Sequence, residues 1–338
     1  MGIVENRSLG LIEEFVEEIK GSDIRIVYPE GNDERILRAA RRHKRDGIIV
    51  PILIGNPEEI KALAKSEALD IEGIEIIDPE TFEKKEEMIQ KFIERRKGKV
   101  DEAGAREKLK DRNYFGTMLV YMGLADGLVS GAVGTTAATI LPGLQIIKMG
   151  PQSKMVSGCF VMISPEDTHR YLFADSAVNF NPSASEIADI ANETARTATQ
   201  FGIDPKVALL SFSTKGSASS PEQEKMEEAT KIAKERYPEL DVDGELQFDA
   251  AIDEVVGKRK APGSPVAGHA TVFIFPDLQA GNISYKIAER LGGYTALGPI
   301  LQGMAKPVND LSRGCNVDDA YQMGIITAFQ AYKAREIQ

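Results

Sequence analysis

Near its C-terminus the chain reads Pro307-Val308-Asn309-Asp310-Leu311-Ser312-Arg313-Gly314-Cys315-Asn316-Val317-Asp318-Asp319. A hydroxyl, a guanidinium and a flexible glycine thus stand just ahead of a segment with helical spacing, Val317 to about Ala334. Its apolar side is Ala320, Met323, Gly324, Ile326 and Ala331, and Asn316 is suited to cap it. A helix start carries unpaired N–H groups and partial positive charge, so an adjoining Ser-Arg-Gly is well built to hold an anion. Arg313 can grip a phosphate through two parallel hydrogen bonds, and Asp319 is placed to act as a base. A purely structural account fits the same residues. Asn316 and Asp319 have the spacing of a capping box, and Arg313 can serve as an ordinary ion-pair partner.

Two further loops carry chemical potential. Ser211-Phe212-Ser213-Thr214-Lys215-Gly216-Ser217-Ala218-Ser219-Ser220 is rich in hydroxyls, and its backbone N–H groups can cradle phosphate or a pantetheine chain. It can equally be a polar loop that caps the next helix. It lacks the glycine spacing of a P-loop, which argues against nucleoside triphosphate hydrolysis, and no Gly-x-Gly-x-x-Gly follows a strand. The Ser130-Gly131-Ala132-Val133-Gly134-Thr135-Thr136 turn is small and hydroxylated, suited to close backbone approach by a ligand.

These loops must be positioned by regular elements, and the pattern supplies them. Ile24–Tyr28, Ile48–Ile54, Ile74–Ile77 and Gly127–Val133 read as strands, separated by helical segments at Asp33–Arg45, Pro57–Lys65 and Thr81–Lys97. After the Gly150-Pro151 turn the pattern restarts, with strands expected at Gly158–Ile163, Tyr171–Ala174, Val207–Phe212, Glu245–Phe248, Thr271–Phe275 and Leu297–Leu301. Helices are expected at Ala184–Gln200, Pro221–Arg236 and Gly281–Leu291. Such alternation predicts an α/β protein with mostly parallel sheets covered on both faces. The first strand-to-helix junction, Tyr28 to Glu34, then falls at the carboxyl edge of a sheet, where α/β proteins usually bind ligands.

A chain of 338 residues is long enough for two domains, and 28% charged with 42% hydrophobic residues is the balance of a soluble globular protein. The net charge of -11 argues against nucleic acid and anionic membrane as partners. No apolar run approaches the ~20 residues that span a bilayer. Met1 to Glu14 lacks the order of a secretory signal, so a cytoplasmic protein is expected. Cys159 and Cys315 belong to no cluster with metal spacing, so no metal site is expected. His43 lies in a charged helical run and His169 and His269 in loop-like sequence, which predicts solvated surface for each.

Taken together, the motifs resemble the phosphate acetyltransferase (phosphotransacetylase) family across nearly the whole chain. The resemblance is carried by Asn113-Tyr114-Phe115-Gly116-Thr117-Met118, Ala125-Asp126-Gly127-Leu128-Val129, Phe173-Ala174-Asp175 and Leu209 to Ser217. It continues through Phe275-Pro276-Asp277-Leu278-Gln279-Ala280-Gly281-Asn282, Gly298 to Gly303 and Pro307 to Cys315. The resemblance implies reversible acetyl transfer between CoA and inorganic phosphate by direct attack in a ternary complex. Acetyl-CoA, phosphate, acetyl phosphate and CoA would be substrates, with no metal or redox cofactor. It implies a fold like that of the isocitrate and isopropylmalate dehydrogenases, usually dimeric, with two α/β/α domains and the active cleft between them. Residues 1–149 plus 303–338 would form one domain and 150–302 the other.

By the same resemblance, Asp319 takes the proton from the CoA thiol, Arg313 binds the phosphoryl group and Ser312 hydrogen-bonds the developing oxyanion or leaving group. A thiol pKa of about 8.5 leaves little thiolate at neutral pH, which gives such a base a task. Arg95, with Arg96 as a substitute, would bind anionic substrate. Thr135, Thr136, Ser213, Lys215, Gly216 and Asn309 complete the expected substrate-binding set, while Cys159 and Cys315 are expected to be passengers. One loop departs from the family pattern: Gly134, Ala138 and Leu141 stand where histidine, aspartate and arginine are usual. Losing one charge-assisted contact costs on the order of 2 kcal/mol. Three alternatives therefore accompany the leading expectation: a longer acyl group such as propanoyl or butyryl, a non-catalytic paralogue binding acetyl phosphate or CoA, and, from shared fold only, a β-decarboxylating dehydrogenase. Lys148 and Arg112 are the candidates to replace the missing arginine.

Overall fold

The computed structural model describes residues 10–336, so residues 1–9 of the stretch read above for targeting character lie outside the description. In chain order, α1 (Gly10–Ile19), β1 (Arg25–Tyr28), α2 (Glu34–Asp46), β2 (Val50–Ile54), α3 (Pro57–Ser66) and β3 (Glu75–Ile77) come first. They are followed by α4 (Lys85–Arg96), α5 (Glu102–Lys108), α6 (Arg112–Tyr121), β4 (Gly127–Ser130) and α7 (Thr136–Pro142). A π-helical turn, Gly143–Ile147, continues from α7. Next are β5 (Ser157–Ile163), β6 (Arg170–Ala174), α8 (Ala184–Gln200), β7 (Val207–Leu210) and α9 (Pro221–Arg236). Then come β8 (Val242–Leu246), α10 (Phe248–Ile252), α11 (Glu254–Lys260), β9 (Val272–Ile274) and α12 (Leu278–Gly292). The series closes with β10 (Thr295–Gln302), β11 (Val308–Asp310) and α13 (Val317–Glu336).

The chain divides into two compact units, Met1–Gly150 with Met304–Gln338 and Pro151–Gly303. The first carries a wholly parallel sheet in the order β11-β4-β1-β2-β3. Side chains alternate across it, as a pleated strand requires. Val27, Ile52, Leu128 and Val308 pack with Met88 and Phe92 of α4 and Phe115 and Met118 of α6. On the opposite face α13 lies against α1 and α2, with Phe15 stacked on Phe329 at 3.9 Å.

The second unit holds the order β10-β5-β6-β9-β7-β8. Strand β5 is antiparallel to both neighbours, and β6, β9, β7 and β8 run parallel. Phe160, Phe173, Phe273 and Phe275 fill one side of it. On the other side Gln302 is buried, donating to Ser157 and Thr194 and accepting from Thr197 of α8. Both units are three-layered α/β/α structures with mostly parallel sheets, the fold class expected.

Two local expectations change, and one further strand appears. His43 is not a surface residue: it is fully buried, stacked on Tyr321 at 4.4 Å, whereas His169 and His269 are exposed. The charged residues around it mark the outer face of α2, and His43 occupies the inner one. The strand expected at Glu245–Phe248 ends at Leu246, and Phe248 opens α10. It starts earlier, at Val242, and Gly244 lies inside it where a side chain would strike Leu209 and Thr230. Finally, Val308–Asp310 is a strand, pairing parallel with β4 in the register Asp310↔Ser130.

Candidate active site

In the first unit β1, β4 and β11 are neighbours and parallel, so the segments that leave their carboxyl ends converge on one edge of the sheet. Those segments are Glu30 to Arg35 after β1, Gly131 to Thr136 after β4 and Ser312 to Asp319 after β11. The last backbone tie between the segments after β4 and β11 is Leu311 N–H to Ser130 O, 2.7 Å.

Ser312, Arg313 and Gly314 are exposed, and the Ser312 Oγ accepts from Gly314 N–H at 3.2 Å. Asn316 and Asp319 form a reciprocal cap: Asn316 N–H donates to Asp319 Oδ2 at 2.8 Å, and Asp319 N–H donates to Asn316 Oδ1 at 2.9 Å. The capping-box reading is thus realised, with Asp319 still exposed to solvent at the start of α13. Thr135 and Thr136 are exposed as well, and Thr135 caps α7 through Ala138 N–H.

Other expected site residues are engaged elsewhere. Asn309 is fully buried and ties β11 to α13, its Nδ2 donating to Thr327 Oγ1 at 2.9 Å and Gln330 Oε1 at 2.6 Å. Arg95 donates to the carbonyls of Ile146 and Ile147 at the π-helical turn, 2.5 and 2.9 Å. Beside it, among the described residues, Arg96 makes a 3.5 Å contact to Gln145 O and has a buried Nε without a partner. Lys148 stands close to Arg95, Lys97, Arg96 and Lys99, and their charges lower its ammonium pKa. Arg112 donates to Asn32 Oδ1 at 2.7 Å. Of the two candidates to replace the missing arginine, Lys148 therefore belongs to a cationic cluster and Arg112 is paired away.

In the second unit the Ser213–Ser217 loop wraps the protein's own carboxylates. Ser213 Oγ and Gly216 N–H both donate to Glu245 Oε1, at 3.0 and 2.7 Å, and Ser213 is fully buried. Lys215 Nζ donates to Asp243 Oδ1 and Gly244 O, at 2.6 and 2.7 Å. Burial opposes ionisation of Asp243, but Lys215, Lys234 and Ser264 carry its pKa down to about 2. Groups expected to face phosphate from this loop are already satisfied within the protein.

Sequence reasoning passed over two residues that shape the edge. Glu30 accepts four successive N–H groups, from Gly131, Ala132, Val133 and Gly134, at 2.7 to 3.0 Å. Arg35 reaches both other segments, donating to Ala132 O and to Arg313 O and Cys315 O. Their junction was legible as a ligand-binding edge, but their partners lie about a hundred residues or more away in sequence. Asp310 was visible only as part of a motif. It is 1% exposed, its Oδ1 lacks a hydrogen-bond partner, and the Thr136 and Thr139 hydroxyls lie beside it without reaching that oxygen. Both cysteine thiols are held protonated: burial raises Cys159, and lifts Cys315 to about 11. Among the described residues no group of His, Cys, Asp or Glu side chains is arranged to hold a metal ion, and no helix is long and apolar enough to cross a membrane.

An exposed Ser-Arg-Gly turn at the carboxyl edge of a parallel sheet offers N–H groups and a guanidinium suited to an anion. The chain belongs to the phosphate acetyl/butaryl transferase family, whose model matches residues 10–328. It is 56% identical over 315 residues to a phosphate acetyltransferase of Bacillus subtilis (strain 168), covering 93% of this chain and 97% of the relative. The solved phosphotransacetylase of Streptococcus pyogenes is 51% identical, with a TM-score of 0.93 over 97% of this chain and all of that one (100%). A Salmonella typhimurium structure described as a 4-hydroxythreonine-4-phosphate dehydrogenase shares the fold alone, at 14% identity and a TM-score of 0.53 over 91% of this chain and 99% of that one.

Proposed function

We propose that the protein is a phosphate acetyltransferase, converting acetyl-CoA and phosphate reversibly to acetyl phosphate and CoA in a ternary complex. The carrying observation is identity above one half to a phosphate acetyltransferase over nearly the full chain, together with an exposed Ser312-Arg313-Gly314 turn at the edge where three parallel strands end. Toward acetyl-CoA, Asp319 accepts the proton of the CoA thiol and the thiolate attacks the carbonyl carbon of acetyl phosphate. A C–S bond forms, the C–O bond to phosphate breaks, and phosphate leaves against Arg313. Ser312 donates to the charge that develops on oxygen. Holding both substrates in one site supplies much of the rate. No metal or redox cofactor takes part; CoA and its thioester are substrates.

Anionic substrate is taken by Arg96 and Lys148 rather than Arg95. Arg95 is engaged by two carbonyls, whereas the mutually repelling cations around Lys148 gain from an incoming anion. Thr135 and Thr136 offer exposed hydroxyls from the loop beside the Ser-Arg-Gly segment. The protein works in the cytoplasm, a reading supported by its free cysteines. It acts as a homodimer. Support comes from α12, where Ile283, Ile287 and Leu291 form an exposed stripe at helical spacing, 55%, 53% and 85% exposed.

Initial rates of CoA release from acetyl-, propanoyl- and butyryl-CoA, with phosphate varied, test the assignment. Phosphate-dependent release fastest with acetyl-CoA is expected. Release that ignores phosphate, or that favours a longer acyl chain, contradicts it.

A further inference from the structure

The Asp33–Arg35 pair is at first sight a helix-start ornament. Asp33 caps α2 by accepting Arg35 and Ile36 N–H, and its two oxygens also accept Arg35 Nε and Nη2 at 3.0 and 2.9 Å. That fork aims the rest of the guanidinium away from the helix. Nη2 also donates to Ala132 O at 2.7 Å, and Nη1 donates to Arg313 O at 2.8 Å and Cys315 O at 3.0 Å. One planar group therefore holds three carbonyls on two segments.

Those segments leave adjacent strands side by side, but the ladder between β4 and β11 stops at Leu311. Beyond it, each has its own internal order. Glu30 organises the Gly131–Gly134 loop, and the Ser312 and Asn316 side chains organise the turn before α13. Gly131 permits this approach, with φ of 108° and no room for a side chain beside Leu311. Arg35 bridges the two.

We infer that Arg35 is a positioning residue for acyl transfer, setting the spacing between the Ser312–Cys315 turn and the loop that carries Thr135 and Thr136. The inference rests on the transferase reading above. A lysine cannot replace the guanidinium, because a compact ammonium on a flexible stem lacks the fixed fork that reaches Asp33 and both segments at once. Misplacement of this kind lowers rate without removing any group that touches substrate.

The test uses the full chain, assaying CoA release from acetyl-CoA with phosphate varied. Wild type is compared with Arg35→Ala, Arg35→Lys and Asp33→Asn, and with Arg38→Ala as a control on the outer face of α2. We expect Arg35→Ala to lose about 10- to 100-fold in kcat/KM for phosphate. Arg35→Lys should recover little, Arg38→Ala should match wild type, and added ethylguanidinium should restore part of the Arg35→Ala rate. Asn still caps a helix but loses the ionic fork, so Asp33→Asn should fold and show a smaller loss in the same direction. An inactive wild type overturns the transferase reading and this inference with it. An active wild type with Arg35→Ala within about twofold, or a folded Arg35→Ala that ethylguanidinium does not relieve, overturns this inference alone. Should Arg35→Ala fail to fold, an unchanged kcat/KM in Asp33→Asn does the same.

Discussion

Asp310 and His43 are both buried in the first unit, and burial moves their protons in opposite senses. Burial, with the charge of Glu30 nearby, lifts the Asp310 carboxyl to about 6 despite the Thr136 and Thr139 hydroxyls beside it. The folded state thus binds a proton that the unfolded state releases near pH 4, so this group's contribution falls as pH rises from about 4 to 6, by about 3 kcal/mol. Asp310→Asn should then stabilise the protein increasingly across that window and level off above it. Urea unfolding of variant and wild type at pH 4, 5, 6 and 7 measures the difference, and a difference independent of pH contradicts the assignment. Burial lowers His43 to about 3, with the Arg42 charge adding to it. Here the unfolded state takes the proton, so stability is lost as pH falls from about 6.5 toward 3, and His43→Leu should make that acid limb shallower in the same titration. Neither behaviour was legible in the sequence. A histidine flanked by Arg42 and Lys44 looks solvated until the inner face of its helix is known.

At the scale of elements, helix α13 crosses β1 and α2 at Gly324, where the buried Tyr28 Oη and His43 Nε2 lie where a side chain would have to go. Gly324→Ala should therefore destabilise the protein by about 1–3 kcal/mol. A drop in the urea midpoint checks this, and an unchanged midpoint with unchanged slope contradicts the packing described. Elements with strong local signals were read to their ends. Helices α8 and α9 are capped by Ser183 and Ser220, with a capping box in the first and a proline at the start of the second. The strand expected from Glu245 misses Val242 to Gly244 of β8, whose interior carries the carboxylates Asp243 and Glu245. Their partners, Lys215, Lys234 and Ser213, come from other elements, so only the folded chain shows why carboxylates are tolerated there. The capping box of Asp319 was readable from spacing, and the structure adds that capping leaves the residue exposed.

Over the whole molecule, a net charge of -11 coexists with a cationic cluster at Arg95–Lys99 and Lys148, so positive potential is a local property here. Ordered motif blocks made the family legible from sequence, because they survive as a series even where Gly134, Ala138 and Leu141 depart from it. What the blocks did not reveal is which motif residues face outward. Ser213 and Asn309 belong to strong motifs and are buried parts of the framework. The proposed homodimer predicts that Ile283→Asp with Ile287→Asp converts a dimer into a monomer in sedimentation, whereas a monomeric wild type contradicts it. The activity proposed is acetyl transfer to phosphate at the Ser-Arg-Gly turn. Its most direct test is acetyl phosphate formation from acetyl-CoA and phosphate by wild type and by Arg313→Ala. One acetyl phosphate per CoA released, falling at least about 100-fold in a folded variant, is the predicted result. Folded wild type that forms no acetyl phosphate, or a variant as fast as wild type, would contradict it.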